Sequence, residues 1–527
     1  MKDRDSLIRS TGVISASTIA SRVLGLVRDS LIAATFGKSL TVPFFTAFII
    51  PNTLRRLFAE GALSAAFIPV FTESLQREGR ERAARLGSSL LKVLFLWLLV
   101  VSILGVALAP QIVELLPHKE VAAEQRVLTV QLLRLMFPYI LLIGLSAATM
   151  GMLNSLGKFF APAISPALLN IAMIGSILLG GIGLSGSGLI RALAAGVMLG
   201  GLFQFLVQFF PLERRMPLHL LSTPFWDERL KRVLWLMAPL AFGQAITEVN
   251  ILISTYFAWT IPGAVSYLFY ANRIIQFPLG VFGIAIATAA FPRLSRDAVQ
   301  QEDSRRAVAD TAVYALKKIL FIMLPSAIGI LLIGRDVLGA ILNRGAFLRE
   351  GSLAPTYACA FYYALGLPFF ASVKIIVSAF YARQNPRTPT VVGALVVVVN
   401  IALIVLLKGP LGAGGLALAT TLASGLNLGI LTAILGRRLR QPIVRRLGGA
   451  AARSGACALL MGAAVAGVGA LLPEAGDRFL DYFLRLFVLL PVGMGTYAAF
   501  SWILQREETE SILGALTKKL ARSGPKP

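Results

Sequence analysis

Histidine and cysteine are nearly missing from this 527-residue chain, which holds two of each. With only His118 and His219, no ligand set for zinc or haem is available, so the expectation is no metal and no cofactor. Cys359 and Cys457 both fall in predicted helices, which argues against a disulfide framework. Charge is scarce as well, at 14% of residues, and acid is the scarcer sign: 26 Asp and Glu against 50 Lys and Arg, a net charge of +24. So little charge cannot cover a soluble surface. The apolar runs are not alternating ten-residue segments, which argues against a membrane β-barrel. No Walker A loop exists, since Gly151 to Gly157 carries one residue too many before Lys158. Gly181-Ile182-Gly183-Leu184-Ser185-Gly186 has the dinucleotide spacing but no preceding strand, and reads as a flexible turn. No nucleophile–base pair is in evidence, so the chain is not expected to be an enzyme.

Hydrophobic residues supply what the chain does have: 56% of the sequence, with a mean hydropathy of +0.76. The expected class is an all-α polytopic membrane protein. Apolar runs of about 20 residues give fourteen predicted spans: 7–34, 42–71, 86–116, 126–154, 160–182, 187–210, 232–259, 263–292, 310–333, 355–382, 389–408, 411–435, 448–472 and 480–504. With the N-terminus placed in the cytoplasm, the loops holding Arg77 to Arg85, Arg214/Arg215, Lys231/Arg232, Arg293 to Arg306, Arg383/Arg387 and Arg437 to Arg446 all fall inside, with the tail bearing Lys518/Lys519. The outer loops carry only scattered cations such as Lys38, Arg191 and Lys408. This is the asymmetry that the positive-inside rule requires, and one miscounted span would scramble it. Basicity therefore reports topology, and nucleic acid is not an expected partner. The opening Met1-Lys2-Asp3-Arg4-Asp5 leads into a long segment carrying Arg22 and Arg28, unlike the short apolar core of a cleavable signal, so the segment is expected to be retained.

Five arginines interrupt these spans: Arg22 and Arg28 in the first, Arg55 and Arg56 in the second, Arg273 in the eighth. A guanidinium at bilayer depth costs roughly 2.5–3.5 kcal/mol, so these residues are expected to line a wet cationic cavity suited to an anion. Asp29 and Glu60 lie nearby. Arg56 and Glu60 are four apart and share a helix face, which predicts a pair; Arg55, beside Asn52 in sequence, points about 100° away. Arg22 and Asp29 are seven apart and share a face, leaving Arg28 over. Arginine suits a diphosphate because its planar fork donates bidentately and stays charged. Lys374 either lines the cavity or snorkels. Glu248, Asn250 and Asn400 form a candidate site for Na⁺ or a proton, with hydrogen-bonded structure as the alternative. Gly25 is expected to split the first span, Pro51 and Pro69 to bracket the second half of the second, and Pro278 to interrupt the eighth.

An internal echo organises the chain. Pro138 precedes Asn170-Ile171 by the interval at which Pro368 precedes Asn400-Ile401, a shift of 230 residues. Six spans separate the copies, so they share orientation. The expected layout is two six-helix lobes, 1–215 and 216–440, related by a pseudo-twofold along the membrane normal. Residues 441–527 add a helix pair and a basic tail. The thirteenth span is rich in Gly and Ala, which permits either close packing or a groove for a lipid chain.

Ser21-Arg22-Val23-Leu24-Gly25 with Arg28-Asp29, Pro51-Asn52…Arg55-Arg56-Leu57-Phe58-Ala59-Glu60-Gly61-Ala62, Tyr270-Ala271…Arg273 and Phe380-Tyr381-Ala382-Arg383-Gln384 together resemble the MviN/MurJ family of bacterial lipid II flippases, within the multidrug/oligosaccharidyl-lipid/polysaccharide exporter superfamily. The resemblance implies fourteen helices, alternating access, a groove from the last two helices, and a transport role for Arg22, Arg28, Arg55 and Arg273. It implies location in the bacterial cytoplasmic membrane with both termini inside, with lipid II, membrane lipids and cell-wall synthesis proteins as partners, and coupling to membrane potential or a monovalent cation. Two positions depart from the pattern. Thr41-Val42-Pro43 stand where many members carry an aspartate before Phe44-Phe45, and Asn272 replaces the aspartate of Tyr-Ala-Asp-Arg. Two other readings compete: a multidrug exporter, whose cationic substrates this cavity would repel, and a non-transporting scaffold for cell-wall enzymes.

Overall fold

In the computed structural model, described for residues 2–56, 63–117, 122–220, 222–299 and 303–510, every regular element is helical. The helices are α1 Lys2–Thr35, α2 Lys38–Arg55, α3 Leu63–Arg77, α4 Arg80–Ala107, α5 Ala109–Glu114, α6 Ala123–Met136, α7 Tyr139–Ser155, α8 Phe160–Gly180 and α9 Gly186–Glu213. After them come α10 Glu228–Ala258, α11 Ala264–Pro278, α12 Ile284–Val299, α13 Ser304–Leu342, α14 Gly345–Arg349, α15 Leu353–Ala382, α16 Arg387–Leu439, α17 Ile443–Leu471 and α18 Phe479–Leu504. Ten helical stretches among the described residues are long and apolar enough to cross a membrane. The chain is therefore a multi-pass membrane protein. Neither α1, α2 nor α10 is among the ten, and these three carry Arg22, Arg28 and Asp29, Arg55, and Glu248.

The residues form two compact units: Met1–Ser266 with Gly345–Glu350, and Tyr267–Arg344 with Gly351–Pro527. In the first, α8 packs along α9 and α1, α7 along α9 and α4, α2 against α6, and α3 against α7 and α10. Its core is aromatic, with Phe44, Phe45, Phe67, Phe71 and Tyr139 fully buried. The α8–α9 contact depends on small residues. A Cβ at Gly200 would stand 2.7 Å from Leu169 Cδ1 and 2.8 Å from its Cα, and Gly196 four residues earlier meets Ser176. This is the small-xxx-small spacing that lets backbones approach where no hydrophobic force favours helix over lipid.

In the second unit, α11, α12, α13, α15 and α16 share a core around Ile319, Met323, Ala371, Ile375 and Phe380. A separate cluster of Ile333, Met461, Val465 and Leu489 joins α13 to α17 and α18. Arg485 on α18 closes that seam, pairing with Asp336 at 3.3 Å and donating to the carbonyl of Pro473 at 2.6 Å.

Proline and glycine act unevenly as breakers. Within Arg387–Leu439, Gly412 adopts φ 53°, ψ −135°, so α16 is two helices meeting at a kink beside Pro410. Only glycine takes such a backbone without strain. After Pro278 the helix widens to a π turn at Leu279–Gly283. The break expected at Gly25 does not occur, and α1 runs unbroken from Lys2 to Thr35. A lone glycine inside a helix costs roughly 1 kcal/mol, less than unsatisfied backbone groups cost at membrane depth. Gly25 faces α8, where a Cβ would meet Asn170 Nδ2 at an ordinary contact distance of 3.8 Å.

Candidate functional site

Arg28 and Asp29 are consecutive on α1 and both buried. The long guanidinium folds back over its neighbour, placing Nη2 and Nε 2.6 and 2.9 Å from Asp29 Oδ1. Nη1 donates to Asn170 Oδ1 at 2.8 Å, and Met173 Sδ lies 3.9 Å away. Asn170 then donates through Nδ2 to the carbonyl of Ser21 at 3.0 Å, returning to the same helix about two turns before the ion pair. Helical spacing assigned Asp29 to Arg22; the structure gives its Oδ1 to Arg28. Arg22 is half-buried and forms no ion pair among the described residues.

The second cationic group sits at the end of α2. Pro51 lies inside the helix, which runs past it to Arg55. Arg55 Nε donates to Asn52 Oδ1 at 2.8 Å. Arg56 reaches α10, with Nε and Nη2 3.0 and 2.9 Å from Glu248 Oε2, and Nη2 also lies 3.4 Å from Thr53 Oγ1. Glu60 lies outside the described residues; the carboxylate recorded on Arg56 is Glu248, 192 residues away in sequence. Tyr139, wholly buried on α7, is within electrostatic reach of both Arg55 and Arg28. Four arginines thus share two described carboxylates, Asp29 and Glu248, and the positive balance persists.

The proposed cation ligands are dispersed. Glu248 is engaged by Arg56. Asn250, two positions on, is turned roughly 200° around α10 and is half-buried. Asn400 belongs to the second unit, buried on α16. Arg273 and Lys374 are also in that unit. Arg273 is half-buried with its guanidinium carbon 4.8 Å from the Phe269 ring centroid, a cation–π contact. Lys374 is exposed on α15 and Asn272 exposed on α11.

Several polar groups of the first unit escaped the sequence reading. Gln208 donates to Ser146 Oγ at 2.5 Å and Ser165 Oγ at 2.9 Å, and Gln204 lies 3.4 Å from the Tyr139 hydroxyl. Two glutamines at i, i+4 in an otherwise apolar span were a usable signal, because such groups face the bundle rather than lipid. Thr41, in the Thr41-Val42-Pro43 stretch before Phe44-Phe45, shares a 2.8 Å hydrogen bond with buried Ser266. The nearby Trp259 indole donates to Thr46 Oγ1 at 2.7 Å. Neutral hydroxyl pairing occupies that corner. The arrangement as a whole supplies fixed guanidinium donors in a membrane-spanning bundle.

A family model described as "Lipid II flippase MurJ" matches residues 32–486. Among curated relatives, a "Probable lipid II flippase MurJ" of Rhizobium meliloti (strain 1021) is 35% identical over 436 residues, covering 82% of this chain and 81% of the relative. One of the same description from Haemophilus influenzae is 34% identical over 497 residues, covering 90% and 94%. Among solved structures, "Lipid II flippase MurJ, inward closed conformation" superposes with a TM-score of 0.76 at 26% identity, covering 94% of this chain and 99% of that one. An inward-facing multidrug resistance MATE family transporter matches at 0.66 with 15% identity, over 80% and 94% of the two chains, and shares the fold.

Proposed function

We propose that this chain, which belongs to the lipid II flippase MurJ family, carries lipid II from the inner to the outer leaflet of the bacterial cytoplasmic membrane for peptidoglycan synthesis. The carrying observation is the match to flippases along most of the chain, joined to the surplus of guanidinium groups on α1 and α2. Fourteen spans follow if α1, α2–α3 and α10 are each counted with the ten apolar stretches and α16 is counted as two about Gly412. In this reading the spans form two six-helix lobes with a C-terminal pair, both termini are cytoplasmic, and the undecaprenyl tail stays in lipid along α17 and α18. Arg22, Arg28, Arg55 and Arg273 hold the diphosphate, Asp29, Asn52, Arg56 and Glu248 set their positions, and Lys374 is a supporting cation. Planar, permanently charged donors meet a diphosphate bidentately, and fixed donors keep their orientation as the headgroup leaves water. Membrane potential, worth roughly 2.3 kcal/mol per charge per 100 mV, or a monovalent cation supplies the drive, and cell-wall synthesis proteins are its candidate partners.

The test compares binding of lipid II, undecaprenyl phosphate and a neutral polyprenol to the purified chain, together with flipping by Arg273→Ala in a depletion background. The reading expects lipid II to bind tightest and the variant to fail. Equal binding of the neutral lipid, or unimpaired flipping, overturns it.

A further inference from the structure

On the first unit an open groove of about 410 Å³ runs between α8 and α9, lined by Leu168, Phe203, Leu206, Val207, Phe210 and Pro211. Its cause lies in the helices themselves. They touch closely at Gly200 and Leu169, and Pro166 in α8 and Pro211 in α9 each lack a backbone N–H for the helical ladder on the groove's side of that contact. The lining is wholly apolar, and its size lies within the usual range of small-molecule sites, roughly 300–1,000 Å³.

One end of this groove is basic. Phe203, Val207, Phe210 and Arg214 follow at i, i+4, i+7 and i+11, a single face of α9, so the lining face runs out onto Arg214, with Arg215 beside it. Both are exposed, as is Lys158 just before the start of α8. Glu213 is turned away, its Oε2 accepting from the Leu218 amide at 3.0 Å. From Phe203 to Arg214 α9 rises about 16 Å, and from Lys158 to Leu168 the chain rises about 15 Å. One leaflet of hydrocarbon is about 15 Å, half of roughly 30 Å. The three cations therefore stand about one leaflet's depth along the helices from Phe203 and Leu168, the groove residues farthest from them in sequence.

We infer that this groove is a binding site for an anionic glycerophospholipid, one acyl chain lying along Val207 and Phe210 and its phosphate meeting Arg214, Arg215 and Lys158. Basic pockets between transmembrane helices take lipid head groups in this manner. The occupant differs from the transported lipid, and the site from the arginines of α1 and α2.

Native mass spectrometry of the full chain, delipidated and loaded with phosphatidylglycerol or phosphatidylcholine, tests the site. Phosphatidylglycerol should be retained at activation that strips phosphatidylcholine, and glycerol phosphate without acyl chains should not displace it. Arg214→Gln and Arg215→Gln should each lower retention about fivefold. Val207→Trp, which fills the slot, should abolish it, while Leu406→Trp on the exposed face of α16 should not. Equal retention of the two lipids, displacement by glycerol phosphate, or retention undiminished in the arginine variants would each mean annular contact only and overturn the site. The arginine variants alter exposed residues, so their reading survives if Val207→Trp misfolds.

Discussion

Arg28 and Arg22 lie on the same helix, six residues apart, and live in different surroundings. Arg28 is buried against a carboxylate, an amide and a thioether. Arg22, about 9 Å up the helix, is half-buried and without an ion pair among the described residues. The end of α2 repeats the split in milder form: Arg56 is tied across to Glu248, while Arg55 is braced locally by Asn52. Burying a guanidinium in a membrane protein is tolerable when a fixed partner replaces water. A cation meant for a mobile anion has to keep some of its donors for it. Arg28 and Arg56 are held in place by fixed carboxylates, whereas Arg22 forms no ion pair among the described residues and has the most to gain from a ligand.

The sharpest way to break that division is Asp29→Asn. It leaves the buried Arg28 charge without its carboxylate, a change worth about 3–5 kcal/mol in buried pairs. The purified variant should melt far below the parent and fail to support growth. A parent-like melting temperature would mean that Asp29 does not hold Arg28 in place. Asn170→Leu should come next, losing about 1.5–3 kcal/mol because the bond from Arg28 to its Oδ1 is charge-assisted. Thermal melting again reads the effect, and Asn170→Gln should recover part of it.

Much of the helical layout was legible in the sequence. Apolar runs near 20 residues are long enough to specify spans, and the kink of α16 fell where spans 389–408 and 411–435 had been divided, because Pro410 and Gly412 both oppose helix there. The unbroken course through Gly25 was not legible, since a single glycine signals flexibility and close packing with the same letter. Pairings within the site were legible only as far as local spacing reaches. The Arg56–Glu60 pair rests on one helical turn and falls outside the described residues, whereas Glu248 reaches Arg56 from 192 residues away and no periodicity announces it. Asn170 was marked by the internal repeat as a position, but its chemistry came from α1. Gln204 and Gln208 carry a local signal in their i, i+4 spacing, but Tyr139 and Ser146 meet them from α7, and no local spacing announces that contact.

Glu248→Gln probes the milder split. Arg56 would keep a hydrogen-bond acceptor and lose a charge partner. Since its side chain is 38% exposed, the loss should be about 1 kcal/mol, toward the value for exposed pairs. The variant should also show unchanged dependence of transport on monovalent cations. A shift in that dependence would reassign Glu248 from bracing Arg56 to binding the coupling ion.

The smallest expected change in stability belongs to Arg22→Gln, and it separates structure from transport most cleanly. With no ion pair to lose and only partial burial, its melting should fall within about 0.5 kcal/mol of the parent. Binding of lipid II should nonetheless weaken by several-fold, because a charge-assisted donor to the diphosphate is gone, and Arg22→Lys should restore charge without the planar fork and recover only part of the affinity. Asp29→Asn would then be a folding defect that abolishes transport, and Arg22→Gln a transport defect in a folded protein. If Arg22→Gln instead melts as low as Asp29→Asn, both arginines of α1 are framework, and the substrate's charge must be met elsewhere.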